Sequence, residues 1–169
     1  MERVREEAKA WKELDHPNIV KFEDCKETSN NIYFFLEYCS QGSLEAYIAR
    51  NRFTPNTSER VGFARQLIAA CAYMEKKNIL HRDIKPANIL IHEGQVKLGD
   101  FGLARVIDLQ NEEALKSFFT FAGTLQFMAP EILRSEQYPF KCDVWSVGVT
   151  IFMIFTNELP FGLTPKDNS

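Results

Sequence analysis

The chain has 169 residues, 45% of them hydrophobic and 25% charged, with a formal net charge of −3. This is ordinary globular composition, enough to bury one core, and it carries no basic footprint for nucleic acid or an anionic membrane. The four cysteines (Cys25, Cys39, Cys71 and Cys142) lack CxxC spacing, which excludes a disulfide scaffold and reads as free thiols in a reducing compartment, cytoplasmic or nuclear.

In chain order, residues 2–14 place Val4, Ala8, Trp11 and Leu14 at helical spacing, and Asp15-His16-Pro17 ends that helix. Its charged start is unlike a secretory signal peptide. Ile19 to Cys25 and Ile32 to Tyr38 read as strands joined by the polar turn Lys26 to Asn31. Leu44 to Ile48 is a short helix. Thr54-Pro55 opens a longer one, whose core face carries Val61, Ala64, Leu67, Ile68, Cys71 and Met74. Beyond Gly102 the chain is polar and irregular until Ala129. Val144 to Phe155 is the most apolar run, a buried helix too short to cross a bilayer.

The stretch from Asn78 to Gly102 carries the chemistry. It holds Asp83, Lys85, Asn88 and Asp100. Two apolar runs, Ile89-Leu90-Ile91 and Val96-Lys97-Leu98, flank His92-Glu93-Gly94-Gln95, the pattern of a hairpin with a glycine in its turn. A hairpin brings its ends together, so Asn88 and Asp100 should face one site. An amide and a carboxylate oxygen suit a hard cation that keeps water and phosphate as its other ligands, Mg²⁺. Asp83 stands on an irregular loop before Pro86, free to meet a substrate hydroxyl, with the charge of Lys85 beside it. The histidines His16, His81 and His92 show no zinc-ligand spacing.

His81-Arg82-Asp83-Ile84-Lys85-Pro86-Ala87-Asn88, Asp100-Phe101-Gly102 and Ala129-Pro130-Glu131 occur in that order. Together they resemble the catalytic loop, the metal-binding triplet and the end of the activation segment of a eukaryotic protein kinase catalytic domain. Lys85 two residues after Asp83, with Thr124 able to bridge both, resembles the serine/threonine class. The resemblance implies an α+β, bilobal protein-kinase-like fold. Residues 1–38 would form a partial small lobe, 39–42 the hinge and 43–169 a partial, mainly helical large lobe.

It also implies roles. Asp83, Lys85 and Asn88 would be catalytic, and Asn88 and Asp100 metal ligands. Leu36, Glu37, Cys39, Ser43 and Leu90 would line the ATP site, with Leu36 as gatekeeper and Glu37 and Cys39 acting through their backbones. Glu7, Arg82, Phe101 and Thr120 would be regulatory, the last phosphorylated by an upstream kinase or by autophosphorylation. Gly123 and Thr124 would face the substrate, and Phe127 stands where a tyrosine is usual. Glu131 and Asp143 would be structural, Asp143 tethering the backbone at His81-Arg82. Trp11, Phe22, His81 and Phe101 match the hydrophobic stack that links the lobes.

The implied activity is ATP- and Mg²⁺-dependent phosphoryl transfer to serine or threonine hydroxyls of a protein substrate. No partnership with nucleic acid or membrane is expected. Residues 1–169 contain no glycine-rich phosphate loop and no strand lysine to pair with Glu7. The resemblance therefore implies a domain truncated at both ends and inactive by itself. The competing reading is a pseudokinase-like binding module without chemistry.

Overall fold

The computed structural model describes residues 8–50, 56–107, 123–134 and 141–161. Glu7 and Thr120 lie outside them. Residues 8–12 are helical and bury Ala10 and Trp11, with Leu14 just beyond. Trp11 Nε1 donates to the Val20 carbonyl at 2.7 Å, which closes the Asp15-His16-Pro17 turn over the ring.

Strand β1 (Phe22–Glu27) pairs antiparallel with β2 (Ile32–Leu36), with Phe22 opposite Leu36 and Glu27 opposite Ile32. The first strand therefore starts three residues later than the Ile19 expected from sequence. Ile19 and Val20 are both buried, and they turn away from β2. Ile19 bridges Leu98, and the Val20 amide donates to the Leu98 carbonyl at 2.8 Å. β2 likewise ends at Leu36, two residues before Tyr38.

After β2 the backbone changes partners. Glu37 still donates to the Lys21 carbonyl at 3.0 Å, but Gln41 donates to Ile91 at 3.1 Å and Ile91 to Gly42 at 2.8 Å. Tyr38, between these attachments, is 80% exposed. Gly42 has a φ of +78°, the left-handed region that glycine enters without steric cost.

Helix α1 (Leu44–Arg50) buries Leu44 and Ile48. Helix α2 (Thr57–Lys76) is capped by Asn56, whose side chain accepts from the Glu59 amide at 3.2 Å. The cap is thus Asn56 and not Thr54, and residues 54–55 fall outside the described set. Tyr47 donates its hydroxyl to Glu59 and joins the two helices.

The core runs from α2 to the hairpin β4 (Ile89–His92)–β5 (Gln95–Leu98). Phe63, Leu67 and Met74 meet Ile84, Ile89, Leu98 and Phe101 there, all essentially without solvent contact. Each such side chain contributes about 1.5–3 kcal/mol relative to exposure. The short β3 (Ile79–Leu80) pairs with β6 (Arg105–Val106), so order extends into a segment that the sequence suggests is irregular throughout. Helix α3 (Pro130–Leu133) is a single turn.

Helix α4 (Lys141–Thr156) packs on α2, and its Val147 and Ile154 share the core cluster with Phe63, Leu67, Ala70 and Met74. It is not buried on all sides among the described residues, because Val144, Phe152 and Phe155 are exposed. No described helix is long and apolar enough to cross a membrane.

Candidate active site

The loop between β3 and β4 is held from below by Asp143 in the first turn of α4. Its Oδ2 accepts from the His81 amide at 2.7 Å and its Oδ1 from the Arg82 amide at 2.9 Å. Burial pushes the Asp143 carboxyl up, against the pull of His81 and Arg82 and of the two amide donors. Arg82 follows with φ +70°, a left-handed turn that a non-glycine residue holds only when its surroundings fix it.

The His81 ring is fully buried, with Nε2 2.8 Å from the Gly99 carbonyl and Nδ1 3.3 Å from the Asp83 amide. A carbonyl only accepts and an amide N–H only donates, so the ring carries its proton on Nε2. One imidazole thus joins the Asp83 loop to the strand end before Asp100.

Asp83 lies at the centre of a closed network. Lys85 Nζ donates to Asp83 Oδ2 at 2.8 Å and to Thr124 Oγ1 at 2.7 Å, and the Thr124 hydroxyl donates to Asp83 Oδ1 at 2.8 Å. Asn88 Nδ2 donates to Asp83 Oδ2 at 3.0 Å and to the Asp83 carbonyl at 2.9 Å. Burial works to raise the Asp83 carboxyl, but the donors Lys85, Thr124 and Asn88 outweigh it and hold the group below the usual carboxylate range.

The local sequence explains the placement of Asn88. Pro86 starts a 3-10 turn over Pro86–Asn88, and the Asn88 amide donates back to the Lys85 carbonyl at 3.0 Å. The β4–β5 hairpin then returns the chain, and the Gly99 amide donates to the Asn88 carbonyl at 2.9 Å. Asp100 follows at once, exposed and with φ +57°.

The Asn88 amide nitrogen bonds Asp83 twice, which leaves its Oδ1 as the side chain's acceptor atom. One amide oxygen and one carboxylate fit Mg²⁺, which keeps several waters and binds substrate phosphate. No cluster of three or more His, Cys, Asp or Glu side chains that could hold a metal occurs among the described residues.

Phe101 is fully buried between Trp11, 4.8 Å away between ring centres, and His81, 4.9 Å away. Trp11 meets Phe22 at 6.1 Å and Phe22 meets Phe34 at 5.7 Å. These rings form one continuous aromatic path from β2 to the loop of Asp83.

The residues expected around ATP are less uniform. Leu36 is exposed at the end of β2, and Cys39 is half-buried with its thiol pushed up by burial. Ser43 bridges Leu90 through the backbone, and its hydroxyl accepts from the Ala46 amide at 3.2 Å, capping α1. The Glu37 side chain bonds Lys97 Nζ at 2.8 Å and accepts from the Lys21 amide at 3.1 Å. Burial works to raise the Glu37 carboxyl, but Lys97 and the Lys21 amide hold it below its ordinary value. This pairing across sixty positions leaves no local trace in the sequence.

Gly123 has φ +114°, and a Cβ there would stand 2.5 Å from the Arg82 carbonyl oxygen and 3.7 Å from Asp83 Oδ1. Only glycine lets this strand pass so close to the Asp83 loop. Gly123→Ala in the full-length protein should therefore cut activity about tenfold to a hundredfold with little change in nucleotide affinity. An unaltered rate would show that the loop yields without moving Asp83. The next turn, Leu125–Phe127, is anchored by Ser146 Oγ, which donates to the Phe127 carbonyl at 2.7 Å. The Phe127 ring is buried. Glu131 sits half-buried in the first turn of α3.

A carboxylate carried on a loop, flanked by a lysine and an asparagine and followed by a hairpin ending in a second carboxylate, is the arrangement that the resemblance to a protein kinase implies. The chain belongs to the protein kinase family, whose protein kinase domain matches it across residues 1–169. It is 40% identical to the serine/threonine-protein kinase ATG1a of Arabidopsis thaliana, over 88% of this chain and 23% of that protein. It is 35% identical to CBL-interacting protein kinase 28 of Oryza sativa subsp. japonica, over 95% of this chain and 37% of that protein. The human serine/threonine-protein kinase ULK1 is also 35% identical, over 95% of this chain and 16% of that protein. The chain thus spans well under half the length of these relatives. Protein kinases as a family use ATP and Mg²⁺ and act on protein substrates.

Proposed function

We propose that this chain is the catalytic part of a serine/threonine protein kinase, transferring the γ-phosphoryl group of MgATP to a protein hydroxyl. The observation that carries the reading is the closed network of Asp83, Lys85, Asn88 and Thr124. Residues 1–38 and 43–169 would be the two partial lobes, with 39–42 as hinge. The change of backbone partners between Glu37 and Gln41 supports that boundary. The serine/threonine kinases among its relatives support the class. The free thiols suit a cytoplasmic or nuclear setting.

The division of labour follows from the donors. Asp83 Oδ2 is occupied by Lys85 and Asn88, whereas Oδ1 receives only Thr124 among the described residues. Oδ1 is therefore the oxygen with a lone pair left for the acceptor hydroxyl. The acceptor oxygen forms its bond to the γ-phosphorus as the bond to the β–γ bridging oxygen breaks, and the hydroxyl proton passes to Asp83. A carboxyl held below its usual range is a weak base, which suits a loose transition state in which that proton moves late.

Lys85 spends two of its three N–H donors on Asp83 and Thr124, which leaves a third that would meet a phosphoryl oxygen. Asn88 and Asp100 would hold Mg²⁺, which supplies charge neutralisation to the phosphates. Leu36, Glu37, Cys39, Ser43 and Leu90 would border the nucleotide.

The test uses the full-length protein. ATP should raise its melting temperature only with Mg²⁺ present, and labelled γ-phosphate should appear on serine in a mixed peptide pool. A shift without transfer would favour a binding module, and the absence of both would overturn the nucleotide site altogether. Thr120, three residues before Gly123, would be an activating phosphorylation site read by Arg82. Thr120→Ala should lose most activity and Ser117→Ala little, measured as initial rates. A fully active Thr120→Ala protein would refute that role.

A further inference from the structure

Between the end of β2 and the attachment of Gln41 and Gly42 to Ile91, residues 38–40 make no backbone hydrogen bond among the described residues. Ser40 is exposed there, and its hydroxyl stands 3.5 Å from His92 Nδ1 on the β4–β5 hairpin. Arg50, in the last turn of α1, donates through Nη2 to the Gln41 carbonyl at 3.3 Å and through Nε to the Ala46 carbonyl at 3.2 Å. Both bonds go to backbone carbonyls, so this guanidinium has no carboxylate partner among the described residues and keeps its remaining N–H donors. An exposed serine hydroxyl thus has a histidine beside it and an arginine on the carbonyl of the very next residue.

We propose that Ser40 is a phosphorylation site whose phosphate is held by Arg50 and His92. The Ser40 Oγ forms a bond to the γ-phosphorus of a nucleoside triphosphate as the bond to the β–γ bridging oxygen breaks, and the hydroxyl proton leaves. The product carries about two negative charges and three strong acceptor oxygens. Those oxygens project beyond Oγ, which turns a weak 3.5 Å contact into a direct hydrogen bond from His92 Nδ1–H. The planar fork of Arg50 matches a phosphate in the way an ammonium does not. The neighbouring carboxylates leave the position open, because Glu37 is already paired with Lys97 at 2.8 Å and the Glu93 side chain is 84% exposed.

The consequence is mechanical. A phosphate bonded to both cations ties residues 38–40 to the hairpin and to α1, where the backbone makes no attachment of its own. A tethered span opens less often. On the phosphoryl-transfer reading, Glu37 and Cys39 border the nucleotide, so a tether at Ser40 slows nucleotide release; this step alone rests on that reading.

The experiment begins with peptide mass spectrometry of the full-length protein, taken from its own cells or dephosphorylated and incubated with MgATP. Phosphate should be found on Ser40, and the second sample tells transfer between copies of this chain from transfer by another kinase. Ser40 free of phosphate in both overturns the proposal. Full-length protein with phosphoserine incorporated at position 40 is then compared with unmodified protein by amide hydrogen exchange. Peptides covering 38–43 and 91–94 should exchange on the order of tenfold more slowly, the size of one charge-assisted hydrogen bond. Arg50→Gln and His92→Gln should each remove much of that difference, and Arg50→Lys should keep part of it. No slowing in the unaltered protein, or equal slowing in all three variants, overturns the proposal. MgADP should also dissociate several-fold more slowly from the phosphorylated protein. Slowed exchange in a protein that binds no nucleotide would leave the Ser40 site standing and sink the transfer reading. Nucleotide binding and transfer with no effect of phosphate at Ser40 would do the reverse.

Discussion

Asp83→Asn in the full-length protein should lower kcat by on the order of 10²–10⁴ and leave ATP affinity nearly unchanged. Asparagine keeps the shape, but one of its two polar atoms becomes an NH₂ group. That group must face either the Lys85 ammonium or the Thr124 hydroxyl, both of which now donate to the carboxylate. The acceptor hydroxyl loses its orienting oxygen and its proton acceptor together. Asp100→Asn should behave differently, because it removes a charged oxygen on the Mg²⁺ side and weakens Mg²⁺-dependent nucleotide binding. Single-turnover rates and nucleotide titrations measured side by side separate the two. The same pattern from both substitutions would show that the roles are not divided as argued here.

Asp143→Ala should be the most damaging substitution for the fold. It strips the acceptors from the His81 and Arg82 amides at the base of the Asp83 loop. A buried donor left unpaired costs about 1–3 kcal/mol, so two should cost roughly 2–6 kcal/mol in a denaturant midpoint analysis. Asp143→Asn should fall between, since one acceptor survives and the other position becomes a donor facing a donor. Activity should vanish with either, because Arg82 keeps its left-handed φ only while its amide is held. A loss under about 1 kcal/mol for the alanine variant would mean that other acceptors replace the carboxylate.

Much of this site could be read from sequence because it is local. Asn88 and Asp100 are brought near each other by a short hairpin whose buried Ile89, Ile91, Val96 and Leu98 alternate with more accessible residues. Proline at position 86 marks its start and glycine at 94 its turn, in plain view. What sequence could not supply depends on distant partners. Ile19 and Val20 look like the start of β1, yet they serve the β5 end, and an unbroken apolar run gives no sign of which neighbour it will join. Arg105 and Val106 form a strand only because Ile79 and Leu80 lie beside them. The Glu37–Lys97 pair and the contribution of Met153 to a pocket are of the same kind. Met153 sits inside a run of apolar residues whose pattern says helix and nothing about what its faces meet.

The aromatic path through Phe101 also makes this protein report on itself optically. It has two tryptophans, and Trp11 is the one packed against Phe101 and bonded to the Val20 carbonyl. Trp145 stacks on Phe161 instead. With Trp145 replaced by phenylalanine, the remaining indole emission comes only from the junction of Phe22, Phe101 and Trp11. A buried indole emits toward the blue, and entry of water at the Trp11–Phe101 contact would shift that emission to the red. The integrity of the packing around Phe101 can then be followed in real time by intrinsic fluorescence, with no label attached and no substrate turned over.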